Sequence, residues 1–191
     1  MLRVRRLIVL SLSLLLAARP GGAREWCAGL TSTAVGSGIQ AQTVNPSGEE
    51  MDIFSIVVDT YGLASGSTKE PGVRLSYTHD YVLASLQGEN FLMRFHAGAG
   101  LMAGYVHDHE GGFFISSGEP LKNEMGVAAA LSCSIGLKFD FKRPVSIDFG
   151  FTANPGVHLR PDPENGAMYL SFYKNGIFHA ILPHINIMYR F

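Results

Sequence analysis

From residue 51 onward, apolar and polar residues alternate with a period of two, the pattern of strands whose faces meet different surroundings. Val73, Leu75, Tyr77, His79, Tyr81 and Leu83 share one face, opposite Arg74, Ser76, Thr78, Asp80 and Val82. Phe91, Met93, Phe95, Ala97, Ala99, Leu101, Ala103 and Tyr105 oppose Leu92, Arg94, His96, Gly98, Gly100, Met102 and Gly104. Val127 to Phe139 alternates in the same way, with Lys138 and Asp140 on its polar face, and Val145 to Ala153 does so with Asp148. Ile185, Ile187, Tyr189 and Phe191 close the chain against His184, Asn186, Met188 and Arg190. Six strands are predicted, over 51–61, 73–86, 91–106, 126–140, 145–157 and 181–191.

The strands run to roughly 9–17 residues, where globular strands are typically about 5–6. A strand that crosses a bilayer at a tilt needs about 9–11. The polar face carries Arg74, Arg94, Lys138, Asp140, Asp148 and Arg190 beside glycines and serines. A membrane barrel turns its apolar face to lipid and keeps small and polar residues inside. It must also close, because an open edge in hydrocarbon leaves backbone groups unsatisfied. A secreted soluble barrel would alternate too, but its outer positions would carry Lys, Glu and Thr; here they carry Ala, Leu, Ile and Phe. The expected fold is all-β, a closed antiparallel transmembrane barrel.

Composition changes this picture little and agrees with it. The 191 residues are 47% hydrophobic and 16% charged, too apolar for an intrinsically disordered chain. A net charge of −1 gives no footprint for nucleic acid. Several of the 22 glycines lie on polar faces. Gly98, Gly100, Gly104 and Gly136 there make room for long charged stems or let a strand bend. On that basis Gly98→Ser is expected to be milder than Leu101→Arg.

Residues 1–23 read as a secretory signal. Arg3, Arg5 and Arg6 form the n-region, Leu7 to Ala18 the h-region of 12 residues, and Gly21 and Ala23 a small-residue cleavage site. A spanning helix would need about 20 apolar residues. Residues 24–48 form an N-terminal segment, with room for a short hairpin, and 49–191 the barrel. Cys27 and Cys133 are too few for a disulfide framework; they are expected to be isolated, though an oxidising compartment would permit a bridge.

The segment Pro183-His-Ile-Asn-Ile-Met-Tyr-Arg-Phe191 alternates and ends on an aromatic residue. It resembles the C-terminal strand of outer-membrane β-barrel proteins. The stretches His96-Ala-Gly-Ala-Gly-Leu-Met-Ala-Gly-Tyr105 and Gly136-Leu-Lys-Phe-Asp-Phe-Lys-Arg-Pro144 further resemble small barrels of Bacteroidetes-type bacteria. The resemblance covers most of 51–191 and implies the outer membrane of a Gram-negative bacterium, with outer-membrane lipid and the barrel-assembly machinery as partners. Tyr189 and Phe191 would be the assembly signal. It brings no catalytic motif.

Six strands fall short of the usual minimum of eight. The missing pair comes from 26–48, from 167–178, or from both; the second stretch also reads as a short helix interrupted at Gly176. A hairpin near the N-terminus keeps turns short at 87–90 and 142–144 and loops long at 62–72, 108–125 and 158–180, so eight strands are expected.

Candidate chemistry is sparse. Arg74, Arg94, Lys138 and Arg190 can pair with Asp59, Asp80, Asp140 and Asp148 inside the lumen. Barrels of about eight strands are filled by their own side chains, and a buried charge needs a partner; a pore lining is the alternative. His107-Asp108-His109-Glu110 combines metal-ligand types at a strand end, but a solvated loop start explains it without a metal. His79, His96, Ser116 and Ser117 would be the candidates for an enzyme acting on lipid, yet no nucleophile elbow is present. No catalytic residue, metal or cofactor is assigned. The expected function is envelope structure or surface interaction through the outer loops, with a lipid-modifying enzyme or a narrow channel as alternatives. Tyr61, Tyr77, Tyr81, Phe91, Tyr105, Phe139, Phe141, Tyr189 and Phe191 fall near strand ends, as interfacial girdles do.

Overall fold

A computed structural model describes residues 24–64, 70–109, 123–161 and 167–191; the expected signal segment lies outside the described residues. The strands are β1 (Glu25–Ser32), β2 (Ser37–Val44), β3 (Glu50–Val58), β4 (Val73–Gln87), β5 (Phe91–His109), β6 (Asn123–Phe141), β7 (Val145–Ala153), β8 (Gly156–Pro161), β9 (Met168–Phe172) and β10 (His184–Arg190). Two short helices join them, α1 (Thr60–Ala64) and α2 (Asn175–Phe178), the second running into a 3-10 turn at His179–Ile181.

The sheet runs β5-β4-β3-β2-β1-β10-β7-β6, and β5 pairs β6 to close it. Every pairing is antiparallel. Among the described residues this is a closed eight-stranded barrel. The N-terminal stretch supplies both missing strands, as the hairpin β1–β2. Residues 167–178 do otherwise: β9 adds to β8 outside the ring, and Gly176 sits within α2.

Following the register once round the wall gives the barrel's geometry. Asp140 pairs Ser146, then come Met188, Gly29, Gln40, Ser55, Ser76, Met102 and finally Ala130, ten residues along the starting strand. A stagger of that size on eight strands goes with strands tilted roughly 35–45° to the axis. Residues on this ring share one parity and face inward.

One end has short turns. At the β2–β3 turn Asn45 Oδ1 accepts from Glu49 N at 2.9 Å and Glu50 N at 3.1 Å. Gly48 there has φ +74°, a left-handed conformation that glycine adopts without Cβ strain. The other end is built up. β5 and β6 stay paired out to His109 and Asn123, extending well beyond the predicted ends of those strands. Above Ala153, Asn154 and Pro155 interrupt the wall, and β8 continues along β6 from Ala130↔Gly156. The break lets Asn154 N bond Gly176 O at 2.8 Å, which turns the chain after β9 into the barrel mouth.

Parity divides the side chains sharply. Lys138, Asp80 and Asp148 are 0% exposed, whereas Leu30, Leu101 and Leu131 are 60% exposed or more. The interior is polar and the exterior apolar.

Candidate functional site

The lower lumen, toward the short turns, is a network centred on His96. Its Nδ1 lies 2.8 Å from Asp80 Oδ2 and its Nε2 3.3 Å from Asp148 Oδ1. A ring that donates from both nitrogens is the imidazolium. Ser134 donates to Asp80 at 2.8 Å, and Gln42 and Asn186 donate to Asp148 at 2.8 and 3.4 Å. One layer below, Arg94 pairs with Asp140, Ser146 donates to Asp140 at 2.5 Å, and Lys138 Nζ lies 3.6 Å from Asp140 and 3.4 Å from Cys27 Sγ. Small residues make the space. A Cβ on Gly136 would lie 2.6 Å from His96 Nε2 and 3.1 Å from Asp148 Oδ1. A Cβ on Gly98 would lie 2.5 Å from the Asp80 Cα. Gly98 is thus not spacing for a long charged stem: the neighbouring strand's backbone stands in the way of any side chain there.

The remaining predicted lumen charges lie at the two ends. Arg74 pairs with Asp59 at 2.8 Å near the outer mouth. Arg190 sits at the lower rim, 3.3 Å from Glu25, and donates to the carbonyls of Phe141 and Arg143. Tyr189 and Phe191 face outward, with ring centroids 5.2 Å apart, and Phe191 N donates to Trp26 O at 2.9 Å.

The outer mouth is built differently. Tyr173 is buried among Met102, Val106, Ala128 and Ala130, its ring stacked 6.1 Å from His158. Burial pushes the Tyr173 phenol up to about 12, and the nearby Arg74 guanidinium offsets part of this. Asp108 holds the plug in place by accepting from Lys174 N at 3.0 Å and Asn175 N at 2.9 Å, while Asn175 Nδ2 donates to His107 O. This corrects the reading of Asp108 as part of a solvated loop start, because β5 continues through His109 and Asp108 is buried. His107 faces the other way and bonds the Glu70 carbonyl at 3.0 Å. Among the described residues no three His, Cys, Asp or Glu side chains gather as a metal site; Glu110 lies outside them.

Above the network and beside the plug lies a cavity of about 100 Å³ lined by Gln40, Ser55, Ser76, Ser132, Asn154 and His184, reaching Thr33 and Val35 at the β1–β2 turn. At roughly 30 Å³ per water it has room for about three. Thr152 Oγ1 and His184 Nδ1 meet there at 3.2 Å.

Of the enzyme candidates, the two histidines lie on opposite faces of the wall. His96 is inside, His79 is on the outer face bonded to Asp52 at 2.9 Å, and Ser116 and Ser117 lie outside the described residues. Cys27 is buried and Cys133 exposed, and neither is bridged. The sequence reasoning did not assign roles to Gln42, Asn186, Ser134 or Tyr173. The first three share the inward parity of the charges, a signal that was available. Tyr173 follows an edge strand, and no periodicity marks it.

Comparison with protein-family models, curated proteins and solved structures finds no match to this chain. The functional reading therefore rests on geometry.

Proposed function

We propose that this protein is a small outer-membrane β-barrel of a Gram-negative bacterium, with a filled, ion-paired lumen, serving envelope structure or surface interaction through its outer loops. One observation carries the reading: buried Lys138, Asp80 and Asp148 inside a wall whose outside exposes Leu30, Leu101 and Leu131. Water would not favour that exterior, and lipid does. The alternating terminal strand through Tyr189 and Phe191 supports recognition by the barrel-assembly machinery. The channel reading is less well supported, since His96, Asp148, Lys138 and Arg94 fill the lower lumen and Tyr173 the mouth.

The test is reconstitution in phospholipid vesicles. The barrel is expected to insert, to run as a heat-modifiable band on unboiled gels, and to leave planar bilayers without conductance steps. Stable ion-sized steps would overturn the filled lumen, and failure to insert would overturn the membrane assignment. Leu101→Arg should destabilise the inserted barrel by about 2–4 kcal/mol if that position is near the bilayer midplane.

A further inference from the structure

Among the described residues the outer wall gathers charge at Arg24, Asp52 and His79, with Glu50 two residues along β3 at the turn. Register places Trp26, Thr43, Asp52, His79, Ala99, Cys133 and Ala153 side by side across β1 to β7, all with the outward parity of Leu30. A carboxylate on a lipid-facing wall costs more the deeper it lies, and an ionisable group there marks a functional site by default. Asp52 is fully engaged: Arg24 Nη1 lies at 2.5 Å, Tyr77 donates its hydroxyl at 2.9 Å, and His79 Nδ1 lies at 2.9 Å. Thr43 adds a contact at 3.4 Å. Donors remain after the carboxylate is saturated. Arg24 Nη2 and Nε have no hydrogen-bond partner among the described residues; neither has His79 Nε2, which donates when the ring carries both protons, and the two side chains are 32% and 35% exposed. Surplus N–H donors around a neutralised carboxylate fit an anion.

The next two outward rows form a groove. Phe54, Tyr77, Leu101, Leu131 and Pro155 line one side; Ile56, Leu75, Ala103, Ala129 and Val157 line the other. Ala103 and Ala129 make its floor low, and its volume is about 840 Å³. It crosses five strands, about 19 Å at a strand spacing of about 4.8 Å, which is the length of an acyl chain. Tyr77 belongs to both features: its hydroxyl reaches Asp52, and its ring lies 4.8 Å from Phe54 in the groove.

We propose that this face binds one glycerophospholipid, with the phosphate on Arg24 and His79 and an acyl chain in the groove. The proposal rests on the membrane reading above. Asp52 lies close to the β2–β3 turn, at the end with the short turns, which in that reading is the periplasmic end and hence the phospholipid leaflet. Asp52 acts here as the positioning residue: it orients His79 through Nδ1, so that Nε2 faces the lipid, and fixes Arg24 beside it.

Trp26 is the sole tryptophan and lies two strands from Asp52 in the same row, about 10 Å away at the usual spacing. With the bromines on the acyl carbons nearest the headgroup, it reports occupancy of the Asp52 end of the site. The full-length barrel is reconstituted in digalactosyl diacylglycerol vesicles doped with brominated phosphatidylglycerol, and separately with a brominated digalactosyl lipid. Quenching of Trp26 should show about a tenfold preference for the phospholipid, equivalent to about 1.4 kcal/mol. The double variant Arg24→Gln, His79→Gln should insert normally and lose that preference. Equal quenching by both lipids in an inserted, heat-modifiable wild type overturns the site and leaves the barrel assignment standing. Failure of the wild type to insert overturns both. A preference retained by the double variant overturns the assignment to these donors, and one abolished by excess inorganic phosphate makes this a soluble-anion site instead.

Discussion

The lower lumen and the outer mouth close the same barrel by opposite means. Below, charges fill the bore, and each is held by a partner on another strand: His96 on β5 between Asp80 on β4 and Asp148 on β7, Arg94 on β5 with Asp140 on β6. Above, the bore is stopped by one aromatic ring, Tyr173, on an apolar bed; its hydroxyl meets the Arg74 guanidinium, and the plug's backbone is tied to Asp108. The lower closure is made by the wall itself and cannot move without unpairing buried charge. The upper one is delivered by a segment that leaves the wall after β9. The difference teaches that a barrel can be sealed twice at unequal cost, and that the two seals fail differently.

The largest effect is expected below. Asp148→Ala removes an acceptor of His96, Gln42 and Asn186 together and leaves the imidazole short of a partner. Breaking a buried pair on one side costs about 3–5 kcal/mol. Urea unfolding of the refolded barrel in micelles, followed by gel mobility, would measure it. A loss under 1 kcal/mol, on the order of an exposed ion pair, would mean the network contributes little. Tyr173→Ala comes next. It empties an apolar bed, which for a buried aromatic costs about 3–5 kcal/mol, and is expected near the lower figure because Arg74, which loses the phenol, keeps Asp59. Planar bilayers should stay silent, since the lower network remains. Conductance in this variant alone would make the mouth the true seal.

Gly136→Ala probes the lower region more gently. The added methyl presses on His96 Nε2 and Asp148, and overpacking of that kind costs roughly 1–3 kcal/mol. Gly98→Ser should cost at least as much, since it meets backbone. The smallest effect separates the regions by pH. The Tyr173 phenol, raised from 10.0 to about 12 by burial, stays protonated in the folded barrel where an unfolded chain has begun to ionise. Its contribution is complete below pH 10 and is lost as pH rises toward about 12, because the unfolded state then binds fewer protons. Tyr173→Phe should remove that alkaline slope and leave the stability at neutral pH nearly unchanged. A slope that persists in Tyr173→Phe would assign it elsewhere.

Much of this molecule is legible in its sequence because strand parity is local. Whether Arg74, Asp80, Arg94, Lys138 and Asp148 face in or out follows from a count of two along the chain, and the chain's loop lengths sufficed to put the extra hairpin at the N-terminus. Two of the six clear strands, β5 and β6, were read too short at the mouth, since His107 and Asp108 look like loop residues until β6 is seen paired beside them. Gly98 was misread for a related reason: a glycine's neighbour across the ladder is not its neighbour in sequence.

The all-β class, the strands' inward and outward faces and the collection of charge on one of them follow from alternation along the chain. The tertiary structure alone decided who meets whom. The ten-residue stagger sets His96 between Asp80 and Asp148, lifts Asp59 to Arg74, leaves Arg190 at the rim with Glu25, and aligns Arg24, Asp52 and His79 on the outside. Stagger belongs to the closed ring as a whole, since each strand can satisfy its own alternation in many registers and only closure selects one.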